Sequence, residues 1–322
     1  MRPERSGAPY PRLLGDLGGT EHRFGWVASP AAEVTRVDSC PGGGDLGAEI
    51  RRYLAAQKLA APASAALGIA APVFGDNVAM TNGEARFSIR DLERELGVET
   101  LLVMNDFAAL AHALPSLRED ETWPVGRGDA TAGGTLALVG PGTGLGVSGL
   151  LTVPGGHVPV VGEGGHSTLA AANDHEADVL AALRRRFGHA SAERVLSGPG
   201  IVNLHAALCL LSGSPAEELA PAEITQRGLD GSDDCCREAL DLFFAFLGSV
   251  AGDLALTLGA RGGVFIGGGI VARLGKAIAR SSFRERFEAK GRYQDYLAGI
   301  PTRVIADASG LALRGANAAL DG

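Results

Sequence analysis

Two adjacent polar residues, Asn105 and Asp106, follow the apolar run Thr100 to Met104, which is typical of a buried central strand. In α/β proteins, side chains at the carboxyl end of such a strand project to where ligands bind. Transfer of a phosphoryl group to a hydroxyl needs a carboxylate to accept the hydroxyl proton, and Asp106 could serve. Asn and Asp are also preferred helix caps, so the local pattern leaves capping and catalysis equally open.

A second polar set lies in the glycine-rich segment Gly162 to His166. Glu163 and His166 are flanked by glycines outside any amphipathic helix, so they have no core face to serve. A binding site explains them better than a solvated loop does. A metal site is disfavoured because no cysteine or paired histidine lies near. Glu193 could simply favour a helix N-terminus electrostatically, and alone it indicates no more.

Three glycine turns each follow a strand-like apolar run: Gly18-Gly19-Thr20, Gly142-Thr143-Gly144 and Gly267-Gly268-Gly269. Backbone N–H groups in such turns can approach phosphate oxygens because no Cβ intervenes. Any single one is ordinary turn chemistry. Three together, two of them with Thr, favour a nucleotide phosphate chain as the ligand.

Two other phosphate-binding motifs are excluded by the sequence. A P-loop needs GxxxxGK[ST], and none of the lysines (Lys58, Lys276 and Lys290) follows a glycine turn. The segment Gly144 to Gly149 matches GxGxxG, but it runs into an apolar segment ended by Pro154 rather than opening a helix. The dinucleotide match is therefore spurious.

The elements that carry these residues indicate two similar α/β halves. Arg12 to Leu17 and Phe24 to Ala28 predict a strand, a glycine turn and a second strand. Thr135 to Val139 and Val147 to Val153 repeat that scheme, and the charged, Gly- and Thr-rich segment 116–134 between the halves is the best boundary. Helices are predicted at Glu49 to Leu59, Phe107 to Leu114 and, as a helical block, His175 to Gly259.

Composition narrows the class of protein. The 322 residues, 46% of them hydrophobic, suffice for a large core and two domains. The formal charge of −8 argues against nucleic-acid or anionic-membrane partners. The four cysteines suggest no disulfide framework and are expected to be plain thiols. The N-terminus has no signal-peptide pattern and the apolar stretch Leu242 to Gly252 is too short to span a bilayer, so we expect a cytoplasmic protein.

Taken together, these segments resemble the bacterial hexokinase-type glucokinase family of the actin-like ATPase superfamily, over nearly the whole chain. The resemblance rests on Leu14 to Thr20, Met80 to Asn82, Asn105 to Phe107, Gly140 to Gly146, Gly162 to His166, Ser191 to Gly200 and Gly262 to Ile270. Relatives often carry Trp shortly after the Thr-Asn step, where this chain reads Gly83-Glu84-Ala85-Arg86.

The resemblance implies an α/β fold with two actin-like (ribonuclease H-like) domains around a central cleft. The small domain would comprise residues 1–116 and a C-terminal helix within 307–322, and the large domain residues 117–306. The implied activity is transfer of the γ-phosphoryl group of ATP to the 6-hydroxyl of glucose, with Mg²⁺, giving glucose 6-phosphate for glycolysis. Family members are commonly homodimers.

The resemblance also implies a role for each candidate residue. Asp106 would be the catalytic base, and Asp16 would place Mg²⁺ through water, with no zinc bound. The sugar would contact Asn82, Asn105, Asp106, Glu163, His166 and Glu193. The phosphates would lie on the turns of Gly18, Gly19 and Thr20 and of Gly142, Thr143 and Gly144, with Gly268 and Gly269 against the adenosine.

Other functions stay open at this point. A kinase for another hexose or an amino sugar would share these residues. The repressor/open-reading-frame/kinase group would need a cysteine-rich CxCGxxGC motif after a His-containing loop, and none follows His166. A catalytically silent sugar-binding regulator would need a DNA-binding module, and only about a dozen residues precede the first strand. An actin- or chaperone-type ATPase is disfavoured by the polar set around Glu163.

Overall fold

The structure is a computed structural model that describes residues 7–80, 86–215, 217–308 and 310–321. Asn82, one of the predicted sugar contacts, and Ala85 lie outside the described residues. The chain divides into two compact units, one of residues 1–117, 152–161 and 309–322 and the other of residues 118–151 and 162–308. The domain limits expected from the sequence stay a prediction.

The strands follow the apolar runs closely. They are β1 (Arg12–Leu17), β2 (Glu21–Val27), β3 (Thr35–Pro41), β4 (Ser64–Ile69), β5 (Asn77–Ala79), β6 (Arg86–Ser88), β7 (Thr100–Asn105), β8 (Thr122–Pro124), β9 (Leu136–Pro141), β10 (Leu145–Val153), β11 (Gly156–Val161), β12 (Gly263–Ile266) and β13 (Thr302–Ile305).

The helices fall between them. They are α1 (Leu46–Ala56), α2 (Ile89–Leu96), α3 (Asp106–Ala113), α4 (Asp174–Phe187), α5 (Gly198–Ser212), α6 (Pro221–Asp230), α7 (Asp234–Leu258), α8 (Gly269–Leu274), α9 (Phe283–Glu288), α10 (Gln294–Ala298) and α11 (Leu311–Ala319). Helix α1 starts three residues before its predicted first residue, Glu49, because the side chain of Asp45 caps it by accepting the N–H of Ala48 at 2.7 Å.

The first unit contains a sheet of strand order β3-β2-β1-β4-β7. Strand β1 pairs antiparallel with β2 and parallel with β4, which in turn pairs parallel with β7. All six residues of β4 are buried, because a central parallel strand has both faces covered. The parallel strands β1, β4 and β7 therefore bring their carboxyl ends to one edge of the sheet.

Helix α11 closes the first unit by packing on α3 and on strands β1 and β4. The fully buried Arg12 of β1 ties it in place. The guanidinium donates to the side-chain oxygen of Asn317 at 3.0 Å, to the Asp321 carboxylate at 2.7 Å and to the Ala8 carbonyl at 2.7 Å. A buried cation is tolerated because it is paired and hydrogen-bonded.

In the second unit the strands lie side by side in the order β10, β9, β12, β13 and β8. Strands β9 and β10 form an antiparallel hairpin around the second glycine turn, while β12 pairs parallel with both β9 and β13. The hairpin is the one that the repeated strand-turn-strand scheme predicts, and the parallel pairing of β12 with β9 brings the carboxyl ends of these two strands together.

Helix α7 is the core helix of the second unit. It has 25 residues and is long and apolar enough to cross a membrane, longer than the apolar stretch Leu242 to Gly252. In its most apolar stretch, 72% of the residues are buried, and α5, α6 and α9 pack around it. Its apolar character thus serves the core of this unit, which includes Phe243, Phe246 and Leu247.

Candidate active site

Asn105 and Asp106 form the junction between β7 and α3. The side-chain oxygen of Asn105 accepts the Phe107 N–H at 2.9 Å, and Asp106 Oδ1 accepts the same N–H at 2.8 Å. The amide of Asn105 also donates to the carbonyl of Ala71 at 3.4 Å. The capping alternative is therefore correct for Asn105, and capping orients the neighbouring carboxylate at the carboxyl edge of the sheet.

Asp16 lies at the same edge, on β1. In register it aligns with Gly68 of β4, which aligns with Met104 of β7, so Asp16 and the end of β7 are about 10 Å apart across two strand spacings. The guanidinium of Arg23, opposite on β2, is 3.7 Å from the Asp16 carboxylate. Burial raises the pKa of Asp16, and the nearby Arg23 charge opposes the rise.

The first glycine turn follows Asp16 directly. The N–H of Gly18 donates to the carbonyl of Glu21 at 2.9 Å, which closes the hairpin between β1 and β2. Gly19 is half-buried and Thr20 is exposed, and the Thr20 carbonyl accepts the N–H of Gly42 at 3.0 Å. The turn is thus fixed by backbone bonds on both sides, with the Thr side chain at the surface of this unit.

The second glycine turn, at the β9–β10 hairpin, is held in the same way. The N–H of Gly142 donates to the carbonyl of Gly144 at 2.8 Å, and Thr143 at the tip is exposed. The carbonyl of Gly142 accepts the N–H of Gly198, the first residue of α5, at 2.9 Å. The turn therefore touches the N-terminus of a 15-residue helix, where the positive end of the helix dipole favours an anion.

Glu193 is bonded to this turn. Its Oε2 accepts the N–H of Leu145 at 2.9 Å, and its Oε1 lies 4.0 Å from Nδ1 of His166. A third of the Glu193 side chain is exposed. Stabilising a helix N-terminus is therefore not the only role of Glu193, because its carboxylate contacts both the second glycine turn and His166.

The His166 loop packs tightly against β10. A Cβ on Gly165 would lie 2.1 Å from the carbonyl oxygen of Leu145, so only glycine fits there. The backbone bonds from Leu169 to Ala190 and from Ala192 to Ser167 join this loop to the segment that carries Glu193. His166 is exposed, as the glycine pattern suggests for a residue without a core role.

Glu163 is exposed at the start of the same loop. Its carbonyl accepts the N–H of His166 at 3.0 Å, which forms a single tight turn. The structure thus brings Glu163, His166 and Glu193 into one region of the second unit, although 30 residues separate the first from the last.

The third glycine turn meets the second. Gly268 has a φ of 82°, and a Cβ there would lie 2.2 Å from the carbonyl oxygen of Pro141. The N–H of Gly267 donates to the Val139 carbonyl at 2.9 Å, and Gly269 opens α8. The two turns are therefore adjacent at the carboxyl ends of β9 and β12.

Two contacts of the candidate site residues were missed by the sequence analysis. Arg23 faces Asp16, and pairing the residues on either side of the hairpin turn one by one would have placed it opposite Asp16. The N–H of Leu145 binds Glu193 across 48 residues, and no pattern in the sequence signals such a bond.

The profile of the glucokinase family matches residues 13–322. The chain belongs to the glucokinase family. A glucokinase of Aromatoleum aromaticum is 52% identical over 97% of this chain and 95% of the relative. A glucokinase of Chromobacterium violaceum is 51% identical over 93% of this chain and 86% of the relative.

A solved glucokinase structure also resembles this member of the glucokinase family. The crystal structure of a glucokinase from an Antarctic psychrotroph is 35% identical and matches with a TM-score of 0.88 over 96% of this chain and 98% of that one. The predicted family, the α/β fold class with two actin-like domains and the enzyme class, an ATP-dependent hexose kinase, are confirmed.

Proposed function

We propose that this member of the glucokinase family transfers the γ-phosphoryl group of ATP to the 6-hydroxyl of glucose, and that Asp106 is the general base. The observation that carries the proposal is the family match over residues 13–322. The relatives that match nearly end to end bear the name glucokinase.

Asp106 is suited to the role of base by its anchoring. Its Oδ1 accepts the N–H of Phe107 at the start of α3, which fixes the plane of the carboxylate. A fixed carboxylate needs no reorganisation when the 6-hydroxyl attacks phosphorus and gives up its proton. Asn105, capping the same helix, would hold Asp106 in position and contact a further sugar hydroxyl.

Glu163, His166 and Glu193 would bind the other hydroxyls of the sugar. Each pyranose hydroxyl donates one hydrogen bond and accepts others, so carboxylates and an imidazole are matched partners. The separation of 4.0 Å between Glu193 and His166 supports a shared role. A site of this type discriminates against sugars that leave its polar groups unpaired.

The glycine turns would hold ATP. The exposed tip of the turn at Gly142-Thr143-Gly144, beside the positive dipole end of α5, would suit phosphate oxygens, and Gly268 next to it would face the adenosine. The turn at Gly18-Gly19-Thr20 would bind phosphate in the first unit. Closure of the protein over its substrates would exclude water as a competing phosphoryl acceptor.

The carboxylate of Asp16 is a hard oxygen donor, partly exposed at the sheet edge, and so fits Mg²⁺ held through water. When bound, Mg²⁺ neutralises phosphate charge during transfer. No zinc is expected to be required for activity. We further propose a cytoplasmic homodimer whose product, glucose 6-phosphate, feeds glycolysis.

A coupled assay of a sugar panel with ATP and Mg²⁺ tests the proposal. Glucose should give the highest kcat/KM. Preference for another hexose or an amino sugar would overturn the substrate, and glucose binding by calorimetry without turnover would reveal a sugar-binding regulator.

A further inference from the structure

A cluster of metal-binding side chains lies in the second unit, between helices α5 and α7. His205 and Cys209 are four residues apart on α5 and so share one face, and both are buried. Cys235 is in the first turn of α7, which packs against α5, and it is half-buried. These three residues are called the α5–α7 cluster below.

The spacing of the α5–α7 cluster matches a tetrahedral site. Cys209 Sγ is 3.6 Å from His205 Nε2 and 3.3 Å from Cys235 Sγ. All three ligand atoms lie within 4.8 Å of one another. With Zn–S of about 2.3 Å and Zn–N of about 2.0–2.1 Å, the edges of a tetrahedron are about 3.8 Å between sulfurs and about 3.5 Å between sulfur and nitrogen. The two measured separations, from Cys209 to His205 and to Cys235, are each within about half an ångström of these edges.

We propose that the α5–α7 cluster binds one Zn²⁺ ion through His205 Nε2, Cys209 Sγ and Cys235 Sγ. Two thiolates and an imidazole are the donor set that this ion prefers, whereas Mg²⁺ prefers oxygen. Binding displaces one proton from each thiol to the solvent. The Cys235 thiol, now directed at the His205 carbonyl at 3.7 Å, turns to the ion instead.

A second group of possible ligands shares His205 with the α5–α7 cluster. It comprises His205, Asp233 and Cys236, whose ligand atoms lie within 4.8 Å of one another. Asp233 is the N-cap of α7 and accepts the N–H of Cys236 at 2.9 Å, so both are fixed at the same helix end. One of these two side chains would have to move closer to Cys209 and Cys235 to supply a fourth ligand.

The role of this ion would be structural. It would fasten α5 to α7, the core helix, and α5 begins at Gly198 beside the glycine turn of the proposed nucleotide site. The site is separate from the His166 loop, and as a structural site it departs from the expectation, drawn from the family resemblance, that no zinc is bound. The inference therefore stands independently of the proposed catalytic roles.

Metal analysis tests the inference on the full chain. Protein reduced, stripped with a chelator and then dialysed against Zn²⁺ should retain one ion per chain, and Co²⁺ in its place should give thiolate-to-metal charge-transfer absorption. Cys209→Ser and Cys235→Ser should each lose both signals. Cys40→Ser, which alters a half-buried thiol on β3 of the first unit, should keep them. No retained Zn²⁺, or retention unchanged in both test variants, would overturn the site.

Two measurements on the unaltered chain guard against variants that fail to fold. Zn²⁺ at about 100 times its Kd should raise Tm by about 4 °C. Zn²⁺ should also protect Cys209 and Cys235, but not Cys40, from alkylation, as read by peptide mass spectrometry. Equal alkylation with and without Zn²⁺ contradicts the inference. So does formation of a Cys209–Cys235 disulfide with hydrogen peroxide in a protein that takes up no Zn²⁺.

Discussion

Glu193 accepts a hydrogen bond from the backbone N–H of Leu145 at 2.9 Å. A residue proposed to bind sugar is thereby fixed to the turn proposed to hold phosphate. The Glu193 carboxylate carries a negative charge and accepts one backbone N–H. Substitutions can separate these two roles.

Glu193→Gln keeps a side-chain oxygen for the Leu145 N–H but removes the charge. Losing a charged hydrogen-bond partner costs about 1.5–3 kcal/mol, so glucose affinity should fall about 10- to 100-fold. ATP affinity should barely change. Glu193→Ala removes both functions, and both affinities should fall. Calorimetry with each ligand separately gives the answer; if Gln weakens both ligands alike, the residue is purely structural.

Glu163→Gln should reduce only glucose affinity, by a similar factor. Glu163 is exposed, and its one hydrogen bond to His166 uses the backbone carbonyl, which the substitution leaves intact. Calorimetry again applies. Unchanged glucose affinity would remove Glu163 from the sugar site.

Asp106→Asn should lower kcat by about 10²- to 10⁴-fold, the usual contribution of general base catalysis. The amide oxygen can still accept the Phe107 N–H, so α3 should keep its cap and sugar binding should survive in part. Asp91→Asn, in the exposed first turn of α2, is the matched control and should retain full turnover. Near-normal kcat in Asp106→Asn would refute the assignment.

Asp16→Asn should raise the Mg²⁺ concentration needed for half-maximal activity. Glu21→Gln is its control, because both carboxylates face Arg23 but only Asp16 is proposed to hold the metal. Chelator-treated enzyme should regain activity with Mg²⁺ alone, without zinc. An identical Mg²⁺ dependence in the two variants would contradict the role of Asp16.

Gly165→Ala should lower the free energy of unfolding by about 1–3 kcal/mol, the usual cost of overpacking, because the new methyl group meets the Leu145 carbonyl. Gly162→Ala, three residues earlier, has nothing within 4 Å of the added Cβ and should be nearly neutral. Denaturant titration of both variants is the measurement. Equal stability would show that this loop can shift away from β10.

His112 should make the first unit acid-sensitive. Burial, with help from His157, lowers the pKa of His112 from its ordinary value of 6.5. Below that value the unfolded chain takes up a proton that the folded chain resists, so stability falls as pH drops below about 6.5. The Tm of His112→Gln should fall less over this range, whereas the exposed His175→Gln should behave as the unaltered protein.

Local chemistry made much of the fold predictable. Strand β4 is a continuous apolar run because both its faces are covered, and the glycine turns stand out because close backbone approach excludes a Cβ. The expectation of a buried central strand is wrong for β7, which is the last strand in the sheet order and has all six residues half-buried. Helix α1 starts at Leu46 rather than Glu49 because Asp45 caps it, and it ends at Ala56 rather than Leu59, before Lys58 with a φ of 55°. The predicted helical block from His175 to Gly259 is divided into α4, α5, α6 and α7.

Contacts between residues far apart in the chain could not be predicted from the sequence. The Glu193–Leu145 bond spans 48 residues, and the contact between Cys209 and Cys235 spans 26, so neither leaves a local pattern. The cysteines looked like isolated thiols because only packing of α5 on α7 brings them together.

The anchoring of α11 by Arg12 has a consequence for biosynthesis. Strand β1 leaves the ribosome early, but the partners of its buried guanidinium, Asn317 and Asp321, are made only after the whole second unit. Until then the Arg12 guanidinium has the Ala8 carbonyl but lacks its carboxylate partner. We expect the second unit of a nascent chain to become protease-resistant first. The first unit should remain incompletely folded, and bind chaperones, until α11 has been made.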